Sequence, residues 1–256
     1  MLQAHSFLWH YLWVAPNILL LGLAALMWRR RFHKQFPVFV VFSFVTAITQ
    51  LTIYVADTIP SVSWQVFWRI FWVGLLVEAI VKFALIGEVF GRLFGHYPSV
   101  ASLGTLLIRG VGVTLVLLAT LAAAYSHKDN IYWIISGAHI LEQAIYIIEC
   151  GLILFLFIFA AHFRLSWPRP IFGITVALGI SACVHLATWA TMANSDLSVY
   201  GRNLLDFLNM ATFHVCVLMW CYYLLVPQKI APKSTVRLPD HSLEVWNREL
   251  ERLLQR

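Results

Sequence analysis

Within the stretch Ile131 to Ala161, His139, Glu142, Tyr146 and Glu149 are separated by three, four and three residues. A helix there places all four on one face. An imidazole, a phenol and two carboxylates on one apolar helix can ligate a metal, relay protons or hold a polar ligand, and all three need the group shielded from lipid. The stretch Val66 to Phe90 adds Glu78 and Lys82 at i and i+4, the favourable order for an ion pair along one helix. Further polar faces follow from the same spacing: His10, Trp13 and Asn17; Thr46, Thr49, Gln50 and Asp57; Ser181, His185 and Thr188; and Asp206 with Asn209, flanked by His214. The residues expected to bind a ligand are His139, Glu142, Tyr146, Glu149, His185, Asp206 and Asn209, with Glu78 and Lys82 forming an intramembrane ion pair beneath them.

The metal candidates are His139, Glu142, His185, Asp206 and His214, which are suitable ligand types at similar depth. Their spacing is not diagnostic. There is no HExxH, no stretch with two histidines at ligating intervals, and no CxxCH for covalent haem. The cofactor is therefore left unknown, and a metal- or haem-binding redox protein is the alternative reading. No catalytic motif is present, so the chain reads as non-enzymatic. Seven-helix zinc hydrolases of the ceramidase kind carry paired histidines on the last helix, which are missing around His214, and Ser136 with His139 lacks the Gly-rich context of a rhomboid serine. A retinal protein needs a lysine in the last span, and Leu204 to Val226 contains none. Without a detectable repeat of halves, a transporter is disfavoured as well.

These groups sit in a chain of 256 residues with 61% hydrophobic and 12% charged side chains, a composition that needs lipid as its solvent. A spanning helix takes about 20 mostly apolar residues. Seven stretches qualify: Phe7 to Trp28, Phe36 to Asp57, Val66 to Phe90, Ala101 to Tyr125, Ile131 to Ala161, Ile171 to Met192 and Leu204 to Val226. One set of connections carries Arg29, Arg30, Arg31, Lys34, Arg92, Arg164, Arg169, Lys229, Lys233 and Arg237, and the other only Lys128 and Arg202. Basic loops are retained inside, so seven spans put the N-terminus outside and the C-terminus in the cytoplasm. Nothing at the N-terminus has the pattern of a cleavable signal, and the first helix is expected to act as its own anchor. The net charge of +6 lies at helix ends rather than in a basic stripe with stacking aromatics, which excludes nucleic acid as a partner. Cys150, Cys183, Cys216 and Cys221 all lie in apolar runs and read as reduced thiols.

That topology gives the polar faces a depth. His10, Asn17, Gln50, Asp57, Arg69, His139, Glu142, His185, Thr188, Asp206 and Asn209 fall in the outer half, Glu78, Glu149 and His214 near the middle, and Lys82, Glu88 and Arg109 deeper. A polar cavity open toward the extracytoplasmic side is expected. Beyond the last span, Pro227 and Pro232 break the chain, and Leu243, Trp246, Leu250 and Leu253 recur at heptad spacing behind a capping Asp240. The fold class is thus all-α, a seven-transmembrane-helix bundle over residues 1–228 with a cytoplasmic tail, 229–256, that holds a short amphipathic helix. That helix is expected to lie on the bilayer or engage a protein partner or a second copy.

The runs HSFLWHYLWVAPNILLLGLAALMWRRR, GLILFLFIFAAHFRLSWPRPIFGI, NLLDFLNMATFHVCVLMWCYYLL and LEVWNRELERLLQR resemble a group of uncharacterised seven-helix integral membrane proteins from Acidobacteria. The resemblance spans essentially the whole chain. It implies a full-length protein of a bacterial inner membrane and transfers no site, activity or cofactor. Together the residues suggest a receptor-like or accessory membrane protein that binds a small ligand or ion in an outward-facing polar intramembrane cavity and engages a partner through its cytoplasmic tail. A structural subunit of a membrane complex is the further alternative.

Overall fold

A computed structural model of the chain describes residues 5–95, 106, 110, 113, 131–162, 165–194 and 198–226, of which 131–140, 193 and 194 are described by backbone alone. All regular structure among these residues is helical. Helix α1 runs over Phe7–Arg29, α2 over Pro37–Thr58, α3 over Trp64–Leu93, α4 over Ile131–His162, α5 over Arg169–Asn194 and α6 over Val199–Leu225. A 3₁₀ turn at Phe32–Lys34 links α1 to α2. Six helices among the described residues are long and apolar enough to cross a membrane, rather than the seven expected. The missing stretch, Ala101 to Tyr125, lies outside the described residues except at positions 106, 110 and 113. The tail bearing Leu243, Trp246, Leu250 and Leu253 lies outside them too.

Local chemistry sets where the helices begin. Ser6, Ser63 and Ser198 precede α1, α3 and α6, and each hydroxyl accepts from a first-turn amide. Capping starts α3 at Trp64 rather than Val66, and α6 at Val199 rather than Leu204, because an apolar scan misses the polar first turn Gly201, Arg202 and Asn203. Helix α2 has Pro37 in its first turn and no side-chain cap of its own. Glu88 of α3 supplies one, accepting from Phe39 N at 3.2 Å while it pairs with Arg92 at 3.0 Å.

Each helix packs on its neighbours in sequence order, α1 on α2, α2 on α3, α3 on α4, α4 on α5 and α5 on α6, and α6 returns to α1. The six therefore close a ring. Close approach is enabled by small residues, as expected where helices associate without a hydrophobic driving force. An added Cβ at Gly74 would meet Thr49 Cγ2 at 2.6 Å, and one at Gly173 would clash with Cβ and Cγ of Tyr223. Among the described residues the outside of the ring is apolar: Ile18, Ile48, Val73, Ile80, Leu154 and Ile158 are all more than half exposed, as a face suited to lipid requires. This is the architecture of a multi-pass helical membrane protein.

The inside of the ring differs at its two ends. At the end formed by the C-terminal halves of α1, α3, α4 and α6 and the N-terminal halves of α2 and α5, the interior is filled. Leu20, Leu23 and Met27 pack there with Phe39, Phe42, Leu85, Phe94, Leu156, Ile174 and Trp220, all essentially fully buried. Trp220 stands edge-on to both Phe39 and Phe42 at 5.6 Å and donates its indole N–H to Ile174 O at 3.4 Å. Phe36, Phe90 and Phe155 extend this plug toward the membrane surface. Polar side chains collect at the other end, and there the packing opens.

Candidate functional site

Above the plug lies a cavity of ≈ 190 Å³ to which all six helices contribute. Helix α1 brings Trp13 and Asn17, α2 brings Phe42, Thr46 and Gln50 at successive four-residue steps, and α3 brings Glu78 and Lys82. Tyr146 of α4, Ser181 and His185 of α5, and Asn209, Met210, Phe213 and Trp220 of α6 complete the wall. A second opening, lined by His5, Trp9, Trp13, Asp57, Asp206, Asn209 and Met210, shares three of these residues and forms the mouth.

The charged groups are joined across helices. Gln50 Nε2 donates to Glu78 Oε1 at 2.9 Å, tying α2 to α3, and Lys82 Nζ reaches Glu149 Oε2 on α4 at 3.5 Å. The ion pair expected within α3, Glu78 with Lys82, is thus replaced by one between α3 and α4. The lysine has no need of its own helix when a buried carboxylate faces it. The same ammonium lies 4.9 Å from the centre of the Tyr146 ring, and Tyr146 stacks on His185 at 4.6 Å and 22°. His185 Nδ1 sits 2.9 Å from Ser181 O, and because a carbonyl only accepts, Nδ1 carries the proton. Thr188 Oγ1 lies 2.8 Å from His185 O and 3.0 Å from Asn209 Oδ1, which links α5 to α6. Near the mouth, His10 Nδ1 and the Tyr54 hydroxyl bridge α1 to α2 at 2.9 Å.

Three buried polar atoms in this region have no partner among the described residues: Asn17 Oδ1, Thr46 Oγ1 and Glu149 Oε1. Their residues are 1%, 3% and 1% exposed. Asn17 Nδ2 donates to Trp13 O at 2.6 Å, so the amide nitrogen is committed and the amide oxygen is left over. Ser43, Thr52, Thr175 and Thr212 each donate to the carbonyl four residues back, the usual outlet for a hydroxyl on an apolar helix. Thr46 does not. Lys82 satisfies one oxygen of Glu149 only. A buried polar atom without a partner costs about 1–3 kcal/mol, and two of these three belong to residues that line the cavity.

The expected ligand-binding residues are distributed as follows. Tyr146, His185 and Asn209 line the cavity, Glu149 is buried behind it through Lys82, and Asp206 stands at the mouth. Glu142 accepts from Trp189 and is not part of the lining. The His139 side chain lies outside the described residues. His214 is also absent from the lining, its ring lying 5.8 Å from that of Tyr11. Among the described residues no three His, Cys, Asp or Glu side chains gather as a metal-binding group, so Glu142, His185, Asp206 and His214 do not come together as the metal site considered from sequence. Sequence reasoning missed Phe42, Met210, Phe213 and Trp220 as walls, since an aromatic or methionine in an apolar helix reads the same on lipid, core and cavity.

Fold and site together define a multi-pass helical membrane protein with a polar interior cavity. No family model, curated protein or solved structure matches the chain.

Proposed function

We propose that the chain is a receptor-like or accessory protein of a bacterial inner membrane that binds a small ligand or ion in the cavity between its helices. In this reading a seventh span covers Ala101 to Tyr125, the N-terminus and the cavity mouth face the extracytoplasmic side, and the cytoplasmic tail engages a partner through Leu243, Trp246, Leu250 and Leu253. The observation that carries the proposal is the interior cavity itself, around which Asn17, Gln50, Glu78, Lys82, Ser181 and His185 gather from four helices. Polar groups that serve only to hold helices together find each other, as Thr188 and Asn209 do at 3.0 Å. Polar side chains gathered around an interior void leave room for a ligand.

The test is native mass spectrometry of the protein carried in lipid nanodiscs, beside a Thr46→Phe variant whose ring fills the void. A bound species near one equivalent in the parent and missing from the variant is expected. Identical mass spectra for the two would overturn the proposal. The linked helix pairs also favour a second reading, a structural subunit whose polar faces serve assembly. That reading predicts a stoichiometric protein partner and an unliganded cavity.

A further inference from the structure

The plugged end of the bundle carries its charge unevenly. On the α2–α3 side Arg92 pairs with Glu88 at 3.0 Å and covers the Phe36 ring, so the two charges there offset each other. The side where α1 ends, α5 begins and α6 ends holds Arg29, Arg30, Arg31, Lys34 and Arg169. Among the described residues none of these five pairs with an acid. That leaves a basic rim at the membrane surface.

Two of its cations are held on the last turn of α6. Arg30 Nη1 donates to Leu225 O at 3.4 Å. The Arg169 guanidinium stands 4.9 Å from the centre of the Tyr222 ring and 5.7 Å from that of Tyr223. An arginine from α1 and one from α5 thus meet the same helix end. Beneath them Tyr222, Leu218 and Val215 share one stripe of α6 and are 56%, 48% and 51% exposed. The stripe is an apolar track that starts under the two arginines and runs toward the middle of the bilayer.

We infer that this seam binds a phospholipid with an anionic headgroup. Its phosphate is held by Arg30 and Arg169, and one acyl chain lies along Tyr222, Leu218 and Val215. Guanidinium forks match phosphate oxygens, and clustered basic residues beside a spanning helix recognise anionic lipids. Arg29, Arg31 and Lys34 supply the surrounding positive potential that separates an anionic lipid from a zwitterionic one. A soluble phosphate would leave the apolar track unused. The interior cavity has no part in this site, and no covalent step is involved.

The experiment presents the full chain in mixed micelles with phosphatidylglycerol or phosphatidylcholine of identical acyl chains and measures bound lipid by native mass spectrometry. Preferential retention of phosphatidylglycerol is expected, weakening as salt rises. Each basic residue beside an anionic lipid contributes about fivefold, so Arg30→Gln with Arg169→Gln should weaken phosphatidylglycerol binding about 25-fold. Arg31→Gln with Lys34→Gln changes two exposed side chains and should weaken it by a smaller factor. That variant also gives the readout if the first is not monodisperse. Arg202→Gln, at the opposite end of α6, should leave the preference as in the parent. Equal retention of the two lipids by the parent, or a loss as large in Arg202→Gln as in the rim variants, would overturn the inference. So would a preference that arises only after Glu244, Glu249 and Glu251 are all changed to Gln, since the tail would then be the occupant of the rim.

Discussion

Removing Lys82 and removing Glu149 should not cost the same. The pair is separated by 3.5 Å, with the Lys82 side chain 14% exposed and that of Glu149 1% exposed. At an effective dielectric of about 20, unit charges at that separation attract by about 5 kcal/mol before desolvation is counted. Deleting one partner of a buried pair costs about 3–5 kcal/mol because the survivor is left buried and bare. Glu149 Oε1 already lacks a partner, so Lys82→Met strips the carboxylate of all compensation and belongs in that range. Glu149→Gln leaves an ammonium that still faces Tyr146 at 4.9 Å, has Glu78 one turn away and reaches the cavity, so its cost should be about 1–2 kcal/mol. The double change Lys82→Met with Glu149→Leu removes both charges and should fall within about 1 kcal/mol of the parent. The assay is a double-mutant cycle by SDS titration in mixed micelles, read from tryptophan fluorescence. A cost below about 1 kcal/mol for Lys82→Met, or a double variant equal to the sum of the singles, would refute the pairing described here.

Other consequences are equally direct. Gly173→Ala should destabilise by about 1–3 kcal/mol, since the new methyl falls on Tyr223, and the added change Tyr223→Ala should recover part of the loss in the same titration. Cys150 Sγ and Cys183 Sγ lie 3.8 Å apart on the lipid side of α4 and α5, so mild oxidation should close an intramolecular disulfide, seen as a mass loss of about two hydrogens. Failure of that bond to form would contradict the α4 and α5 packing. Cysteines placed singly at Asp57 and Gln35, in a Cys-free background, should label from opposite sides of the membrane, Asp57 from outside. Labelling from the same side would reject the topology. Leu250→Asp, introduced into the tail, should abolish co-purification of the proposed partner while leaving the thermal stability of the bundle within about 0.5 kcal/mol, as for a surface change.

The helices were legible in the sequence because hydrocarbon demands long apolar runs, and six of those runs are helices in the structure. Their starts were less so. Ser198 caps α6 ahead of a polar turn that an apolar count discards, and α2 borrows its cap from Glu88, forty-nine positions away. The polar faces of α1, α2, α5 and α6 were visible from spacing alone, since Asn17, Thr46, Gln50, His185 and Asn209 recur at helical intervals. What spacing cannot supply is which helix faces which. Lys82 has Glu78 as its nearest acid in sequence, yet the closed ring brings Glu149 to it and gives Glu78 to Gln50.

The central claim is that the cavity to which all six helices contribute is a binding site. A high-resolution density map of the protein in lipid nanodiscs tests it most directly. The account predicts one discrete non-protein feature larger than a water in the space bounded by Asn17, Gln50, Glu78, Lys82 and His185. A cavity holding only waters, or one closed by the inward collapse of Trp13 and Phe213, would contradict it.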